Sequence, residues 1–278
     1  MRGDSKIIRV FPRRTSMTPR DDYAFVGDPP LIRPLASEVY VSCAFTWDMP
    51  AAKRLADAWA QYYPVSLGGC AYAHAIDYPD LFTPGMYVRK GIVITHRGCN
   101  NQCPWCLVPR REGSLREIEI YDGNNLIDNN ILQCSRGHIA KVVDMLRQQH
   151  GIILSGGLDS RLFTSSIADD LKSLRIKRMF FACDTKEAIK PLERAKCKLD
   201  GFTMDQLRCF VLLCFYENET VDQALARLIE VYRLGFMPFA MLYQPPDKHI
   251  EYSKEWRKLA KHFTRPAITK AFMRGSNG

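Results

Sequence analysis

From Val88 onward, short β-branched runs alternate with longer segments whose apolar residues recur at helical spacing. The short runs predict six strands, at residues 91–95, 125–128, 151–157, 178–184, 207–215 and 238–244. Amphipathic helices are predicted over residues 138–150, 166–174, 186–196 and 220–235. Such alternation is typical of a parallel sheet built from βα units. The pattern therefore predicts an α/β protein with six strand–helix units.

The first 36 residues follow a different pattern. Residues 1–36 contain five prolines and carry seven Lys or Arg against four Asp. Proline at this spacing disfavours helices. We expect an irregular basic arm, which either lies as a strap over the domain or contacts a substrate.

A short strand–helix–strand pattern follows the arm. EVYVSCAF (38–45) alternates like a strand, and AAKRLADAWAQYY (51–63) has helical periodicity. Asp48 and Pro50 are suited to the N-cap and the first turn of that helix. PVSLGGC (64–70) then predicts a second strand that ends in a glycine pair. The predicted βαβ unit extends over residues 37–86.

Three cysteines follow the first strand of the six-unit region. Cys99, Cys103 and Cys106 have the spacing C-x3-C-x2-C. A [4Fe–4S] cluster needs four ligands, which are usually cysteines, and a nearby fourth is missing here. The cluster iron left without a protein ligand could bind and reduce a small molecule. A zinc site is the alternative, but zinc normally requires a fourth Cys or His, and His96 lies three residues upstream.

The motif C-x3-C-x-aromatic-C, with Trp105 as the aromatic residue, resembles the signature of the radical S-adenosylmethionine (radical SAM) superfamily. In that family the open iron binds the amino and carboxylate groups of SAM. One electron then cleaves SAM to methionine and a 5′-deoxyadenosyl radical, which abstracts hydrogen from a substrate. Residues 91–113 are similar to the branch with a cobalamin-binding-like region before the barrel, and to methylthiotransferase-like enzymes. The resemblance implies that Trp105 lies at the cofactor.

The resemblance also implies a fold. The superfamily uses a partial (β/α)6 TIM-like barrel, expected here over residues 87–247, with its site at the C-terminal ends of the strands. Residues 37–86 are similar to the tail half of a cobalamin-binding Rossmann-like domain, so we expect a truncated form of it. The family motif Asp-x-His-x-x-Gly, whose histidine binds cobalt, is absent. We therefore expect no bound cobalamin, although some relatives bind it without this histidine.

A glycine pair ends the third predicted strand. Gly156 and Gly157 match the superfamily's Gly-Gly-Glu segment, whose backbone carbonyls meet the SAM amino group, and glycine permits close approach. Leu158 replaces the usual Glu, which leaves that contact to backbone atoms or to Asp159. Arg161 could pair with a carboxylate as a bidentate donor. A plain strand-to-helix turn and a solvated helix start explain these residues equally well.

Polar residues end other predicted strands. Asp184 is expected to meet the SAM ribose hydroxyls, or to cap the next helix. Glu219 and Thr220 match the end of the family's Gly-x-Pro-Gly-Glu-Thr turn, although the Gly and Pro are replaced. Asp128 and Asn129 resemble an Asp-Asn pair at the second strand of cobalamin-branch relatives, and a loop rich in Asx turns is the alternative.

Several cysteines and one tyrosine are candidates for hydrogen transfer. Cys183 and Cys214 end predicted strands, where a thiol could donate a hydrogen atom to a product radical, or they are small buried hydrophobic residues. Tyr243 at the mouth could stack, supply a hydrogen or only pack. Methylthiotransferases bind a second cluster through three N-terminal cysteines, whereas only two, Cys43 and Cys70, are available here. We therefore expect no standard second cluster.

The formal net charge is +9, and it is concentrated towards the C-terminus. Residues 248–278, expected to be a basic helix and tail, contain eight Lys or Arg and two Glu. A basic balance suits nucleic acid or phosphorylated partners, and a solvated basic face is the alternative. On charge we favour a nucleotide or nucleic-acid base as substrate. A peptide or small-molecule modifier, which includes a cobalamin-dependent methyltransferase, and a zinc- or cluster-bearing nucleic-acid binding protein without turnover remain alternatives.

The composition of the chain indicates the cellular compartment in which we expect the protein. No apolar run approaches the ~20 residues of a membrane span, and the N-terminus lacks an apolar signal core. Ten cysteines without a secretory signal indicate a reducing compartment, so we expect a cytoplasmic protein. The expected partners are SAM and an electron donor such as flavodoxin or ferredoxin, with nucleic acid as a further candidate and no membrane.

Overall fold

The structure is a computed structural model that describes residues 6–72, 85–246 and 248–275. Its first sheet is parallel, with strand order β2–β1–β3–β4. Its elements are β1 (Ile7–Phe11), β2 (Ala24–Val26), β3 (Glu38–Ser42), α1 (Met49–Trp59) and β4 (Val65–Gly68). The predicted βαβ pattern is therefore confirmed as β3–α1–β4. Asp48 precedes α1, but its side chain pairs with Arg13 instead of capping the helix.

The expectation of an irregular arm over residues 1–36 is wrong for β1 and β2. β1 lies between β2 and β3, and Ile8 and Val10 are fully buried in the core of this sheet. Their alternation with Arg9 is the period of a half-buried strand. The prolines of the segment flank the two strands and do not interrupt them. Residues 1–5 of the arm, 73–84 of the βαβ unit, Asp247 and the tail residues 276–278 lie outside the described residues.

The second sheet carries the six predicted strands, and all of its strand pairs are parallel. Its order is β12–β11–β10–β9–β8–β5, which follows the chain from one edge to the other. The strands are β5 (Ile92–Val93), β8 (Asn125–Leu126), β9 (Ile152–Leu158), β10 (Ile176–Ala182), β11 (Leu207–Leu213) and β12 (Met237–Leu242). The α/β class is thus confirmed.

Helices connect and follow these strands. They are α2 (Val108–Glu112), α3 (Arg136–Arg147), α4 (Ser165–Lys172), α5 (Ile189–Lys196), α6 (Val221–Arg233), α7 (Lys254–His262) and α8 (Pro266–Gly275). Before α2, β6 (His96–Arg97) pairs with the antiparallel strand β7 (Arg116–Glu117). The basic C-terminal segment thus forms two helices where the sequence predicted one. Within the described residues, none of the helices is long and apolar enough to cross a membrane.

The second sheet has two different faces. On β11, Cys209, Val211 and Leu213 point into one large core that they share with buried residues of α3 to α7. The alternate side chains lie on the opposite face. We call it the aromatic face, because Phe180, Phe210 and Phe239 pack against one another there, with ring centroids 4.7 Å and 5.8 Å apart.

A close backbone approach fixes the carboxyl end of β9. Met179 of β10 pairs with Leu154, but the next residue, Phe180, pairs with Gly157, so two residues of β9 bulge out of the ladder. One of them is Gly156, and a Cβ atom there would overlap the carbonyl oxygen of Asp128. A Cβ at Gly157 would make only ordinary van der Waals contacts, with Ala182 Cβ at 3.7 Å and Phe210 Cδ2 at 4.0 Å.

These two glycines provide a matched pair of substitutions. Gly156→Ala should lower the free energy of unfolding by more than about 3 kcal/mol, because β9 must move away from Asp128. Gly157→Ala should be neutral or slightly stabilising, since Ala loses less backbone entropy than Gly. Urea unfolding of both variants measures the difference. Equal effects would contradict the assigned role of Gly156.

Candidate cluster and cofactor site

The three cysteines of the motif lie on a loop closed at its base by the β6–β7 pair. Gly98 opens the loop with φ of 77°, and a Cβ there would overlap the carbonyl oxygen of Ser114. The Cys99 N–H donates to Gly113 O at 3.2 Å, and the Cys106 N–H donates to Cys103 O at 3.0 Å. The loop is therefore held by backbone contacts across its base and within it.

A buried carboxylate ties this loop to the sheet. Glu112 accepts hydrogen bonds from the Gly98 N–H at 3.0 Å and from Asn129 Nδ2 at 2.7 Å, and it pairs with Arg97. Asn129 also donates to Gly98 O at 3.3 Å. Glu112 carries no spacing signal in the sequence and was not predicted, whereas Asn129 was a predicted site residue.

A second tether comes from the residues after β8. Gln133 accepts from the Asn100 N–H at 2.8 Å and lies 3.6 Å from Cys99 Sγ. Asn101 donates to Asp159 at 3.1 Å. Both contacts join residues more than 30 positions apart, and periodicity carries no signal for them. The cysteine loop is thus attached to the carboxyl ends of β8 and β9.

The three thiols share one electrostatic neighbourhood. Cys99 is buried, and Cys103 and Cys106 are half-buried. Burial raises the pKa values of Cys103 and Cys106, and the neighbouring thiols and Asp184 raise them further. Arg161 opposes this effect at Cys103. The thiols therefore have to lose protons when they bind a metal.

His96 is committed to a structural network. Its Nε2 accepts from the Asn130 N–H at 3.2 Å, and its Nδ1 lies 3.3 Å from Asp128 Oδ2. Asp128 in turn accepts from the Thr95 N–H at 2.7 Å and the Thr95 hydroxyl at 2.5 Å. His96 Nε2 is thus engaged, and Nδ1 makes no hydrogen bond within the described residues but faces the Asp128 carboxylate, which disfavours His96 as the fourth ligand of a zinc site.

The types and positions of the possible ligand side chains decide whether the loop could hold a single metal ion or an iron–sulfur cluster. Among the described residues, no three His, Cys, Asp or Glu side chains converge closely enough to hold one metal ion. A cubane cluster binds each cysteine through a different iron, so its ligands do not converge on one point. Three cysteines on a tethered loop fit the chemistry of such a cluster better than that of a mononuclear site.

The predicted SAM contacts at the end of β9 lie beside the loop. Arg161 donates to Asp159 from Nε at 2.9 Å and from Nη2 at 2.6 Å. Burial alone would raise the pKa of Asp159, but the hydrogen bonds from Arg161 and Asn101 outweigh it and lower the pKa. Asp159 is therefore already occupied by two donors. Gly156 is required by its contact with Asp128, which is a structural reason for the glycine independent of any ligand.

Asp184 lies at the carboxyl end of β10, on the aromatic face. It accepts hydrogen bonds from the Leu212 N–H at 3.2 Å and from the Trp105 side chain, so it does not cap the helix that follows. Burial raises the pKa of Asp184 to about 6, although these donors and Arg227 oppose the shift. Trp105 and Asp184 thus join the cysteine loop to the middle of the sheet.

Cys183 is not at the mouth, which corrects the expectation from sequence. It is fully buried on the helix-facing side of β10, where its Sγ donates to Thr185 O at 3.7 Å and it hydrogen-bonds with Cys209. Strand alternation gives Asp184 the opposite face. Cys183 is therefore one of the small buried hydrophobic residues and is no candidate for hydrogen transfer.

Cys214 and Tyr243 do lie near the loop. Phe215 packs between Trp105 and Tyr243, with ring centroids 5.3 Å and 5.0 Å away. Cys214 is the only non-glycine with positive φ among the described residues, at 63°, and its N–H donates to Glu219 Oε2 at 2.7 Å. Burial raises the pKa of Cys214 to about 12, so its thiol stays protonated.

Glu219 has a structural partner beneath this corner. Its carboxylate pairs with Arg227 at 2.6 Å, and both side chains are largely buried. Arg227 also donates to Leu212 O at 2.6 Å. Thr220, the next residue, caps α6 through a capping box with Gln223. The Glu-Thr pair therefore holds the turn after β11 in place.

The two N-terminal cysteines lie close to each other and to the cysteine loop. Cys43 is buried and donates from Sγ to Phe45 O at 3.2 Å, whereas Cys70 is exposed. Arg111 donates to Cys70 O at 3.0 Å, and Arg97 lies 4.0 Å from its Sγ. These contacts dock the end of the first sheet against the loop, and neither cysteine belongs to a metal-ligating group in the described part of the chain.

Comparison with known proteins gives no relative for this site. The chain matches no protein-family model and no curated protein sequence. The interpretation of the site therefore depends on its own residues and on the resemblance of its cysteine motif.

Asp184→Asn should reveal the cost of burying this carboxylate. Its pKa is about 6 when folded and about 3.9 in an unfolded chain, so the folded protein binds the extra proton between these values and loses stability as pH rises through them. Asparagine keeps the acceptor oxygen without the charge. The free energy of unfolding of Asp184→Asn relative to the unmodified chain should therefore increase by about 2–3 kcal/mol from pH 4 to pH 7. Denaturant unfolding at both pH values measures it.

The exposed Asp200 provides the control. Asp200→Asn should change the free energy of unfolding by a similar, small amount at both pH values, as exposed surface substitutions do. A difference between Asp184→Asn and the unmodified chain that does not vary with pH would contradict the raised pKa of Asp184.

Proposed function

We propose that this chain is a radical SAM enzyme whose [4Fe–4S] cluster is held by Cys99, Cys103 and Cys106. The observation that carries the proposal is the placement of these three thiols together on a tethered loop, beside Asp184 and Arg161, at the carboxyl edge of a parallel sheet. That edge is where α/β proteins with this strand arrangement place their ligands.

The strand order supports the finer proposal of a partial (β/α)6 barrel. The strands follow one another in chain order, and the helices pack into one core on one face. Right-handed crossovers between strands in this order place all helices on the same side. The aromatic face would then be the inner surface of the curved sheet, with Asp184, Cys214 and Tyr243 at its carboxyl edge.

The chain's own residues would position the reactants. Cys99, Cys103 and Cys106 would hold a [4Fe–4S] cluster, which when bound would supply the electron for reductive cleavage of SAM. Asp184, held by Leu212 N–H and Trp105, is placed to accept hydrogen bonds from the ribose hydroxyls. Gly157 has room beside its backbone for a ligand, since a Cβ there would meet only Ala182 and Phe210 at 3.7 Å or more.

For Arg161 and Asp159, the proposed role is structural and not direct contact with SAM. Because they pair with each other and Asp159 also accepts from Asn101, they brace the loop that carries Cys103. Arg161 also places a positive charge near Cys103, which favours the thiolate form needed for metal binding.

The substrate class and the partners are proposed from the charge and the cysteines of the chain. The net charge of +9 favours a nucleotide or nucleic-acid base as substrate. Cys214 keeps its thiol hydrogen and lies near Tyr243, so these two are the proposed hydrogen-transfer residues. A cytoplasmic setting and a flavodoxin or ferredoxin as electron donor suit an oxygen-labile cluster and ten free cysteines.

Replacing one motif cysteine tests the proposal. After anaerobic reconstitution with iron and sulfide, the unmodified chain should become brown and, with dithionite and SAM, release 5′-deoxyadenosine. Cys103→Ala should abolish this release, because an iron of the cluster loses its ligand. Iron content, the visible spectrum and chromatography of the nucleoside measure the outcome.

Cys197→Ala is the matched control, since Cys197 is exposed and lies on the turn after α5. It should retain the cluster and the reaction. Cleavage of SAM by Cys103→Ala would contradict the ligand assignment. Stoichiometric zinc without 5′-deoxyadenosine from the unmodified chain would favour a binding protein instead.

A further inference from the structure

Two arginines lie on the aromatic face at its amino end, far from the cysteine loop. Arg178 is an exposed residue near the start of β10, and Arg208 is the second residue of β11. Arg208 stands opposite Phe180 in the ladder, so Arg178, two residues before Phe180, is its diagonal neighbour on the same face. Arg208 precedes Cys214 by six residues, which corresponds to about 20 Å along the strand.

Arg208 is buried without a protein partner. It is only 8 % exposed, yet across residues 6–72, 85–246 and 248–275 neither Arg208 nor Arg178 donates a hydrogen bond or forms an ion pair. The guanidinium nitrogens still reach the surface, but an Arg that is buried to this extent is normally paired. Burial and the nearby Arg178 lower the pKa of Arg208.

The nearest carboxylate is engaged elsewhere. Asp205 attracts both arginines at a distance, but its two oxygens accept from Lys270 Nζ at 2.8 Å and 2.9 Å. The Asp205 side chain is also exposed. Two guanidinium groups are therefore adjacent, and no described carboxylate contacts either of them.

We propose that Arg178 and Arg208 bind the phosphate of a phosphate monoester, with the body of the ligand against the apolar surface of the stacked Phe180–Phe210 pair. Two unpaired guanidinium groups match the charge of a phosphate monoester, about −1.5 to −2, better than that of a single carboxylate. The two rings are stacked 4.7 Å apart at 19° and lie next to Arg208 along and across the strands, so they offer an apolar surface beside the charges. The site is separate from the cysteine loop and does not rest on the proposed function.

Calorimetric titration of the full-length chain at low ionic strength tests this site with three probes. Phenyl phosphate should bind at least about tenfold more tightly than inorganic phosphate, because its ring can stack on phenylalanine. Benzoate should bind more weakly than phenyl phosphate. Equal binding of the two phosphates would identify free phosphate as the ligand and retain the arginine site. Benzoate binding as tightly as phenyl phosphate would overturn the assignment to phosphate.

Arg208→Met separates a binding role from a structural one. It should reduce phenyl phosphate affinity at least tenfold, and Arg233→Met, at an exposed position on α6, should leave it unchanged. Without ligand, Arg208→Met should keep or raise the melting temperature, since an unpaired buried charge is removed. With phenyl phosphate, only the chains that retain Arg208 should gain thermal stability. Unchanged binding by Arg208→Met, or a large loss of its stability without ligand, would overturn the proposal.

Discussion

The Asp128–Asn129 dipeptide contacts the residues after β5, strand β9 and the base of the cysteine loop, and the cysteine site depends on all three. The Asp128 carboxylate is buried and accepts from Thr95 and His96, which fixes the chain between β5 and the cysteine loop. Its carbonyl lies against Gly156 of β9, where only glycine fits. Asn129 then bonds to Glu112 and Gly98 at the base of the loop. A buried carboxylate must be satisfied by donors, so loss of the Thr95 and His96 contacts would destabilise the segment that also carries the other two.

Local patterns in the sequence were sufficient for much of the fold. The six strands of the second sheet and the β3–α1–β4 unit are each marked by apolar residues in the local sequence. β1 was missed because its five residues stand among prolines, and only pairing with β3 makes it a central strand. The residues of the cysteine site divide in the same way into those with a local signal and those defined by long-range contacts. The cysteine spacing is local, whereas Glu112 and Gln133 contribute through contacts that link distant parts of the chain.

Cys183 shows why the sidedness of a buried strand is hard to predict. The segment RMFFACD is apolar on both faces, so its sequence does not say whether Cys183 or Asp184 points to the helices. In the structure, Phe181 and Cys183 both pack into the core beneath the helices, so they share one face of β10. Asp184 is then left on the aromatic face, where its charge is offset by Trp105 and the Leu212 N–H.

The aromatic face therefore has opposite electrostatic character at its two ends. Asp184 and the cysteine thiols lie at the carboxyl edge, and Arg178 and Arg208 lie at the amino edge. Phe180 and Phe210 stand near the arginines, and Asp184 follows Arg178 by six residues, about 20 Å along the strand. An anionic molecule is attracted to the arginine end and repelled by Asp184 when its carboxyl is ionised. The charge pattern thus favours ligands whose negative group points away from the cysteine loop.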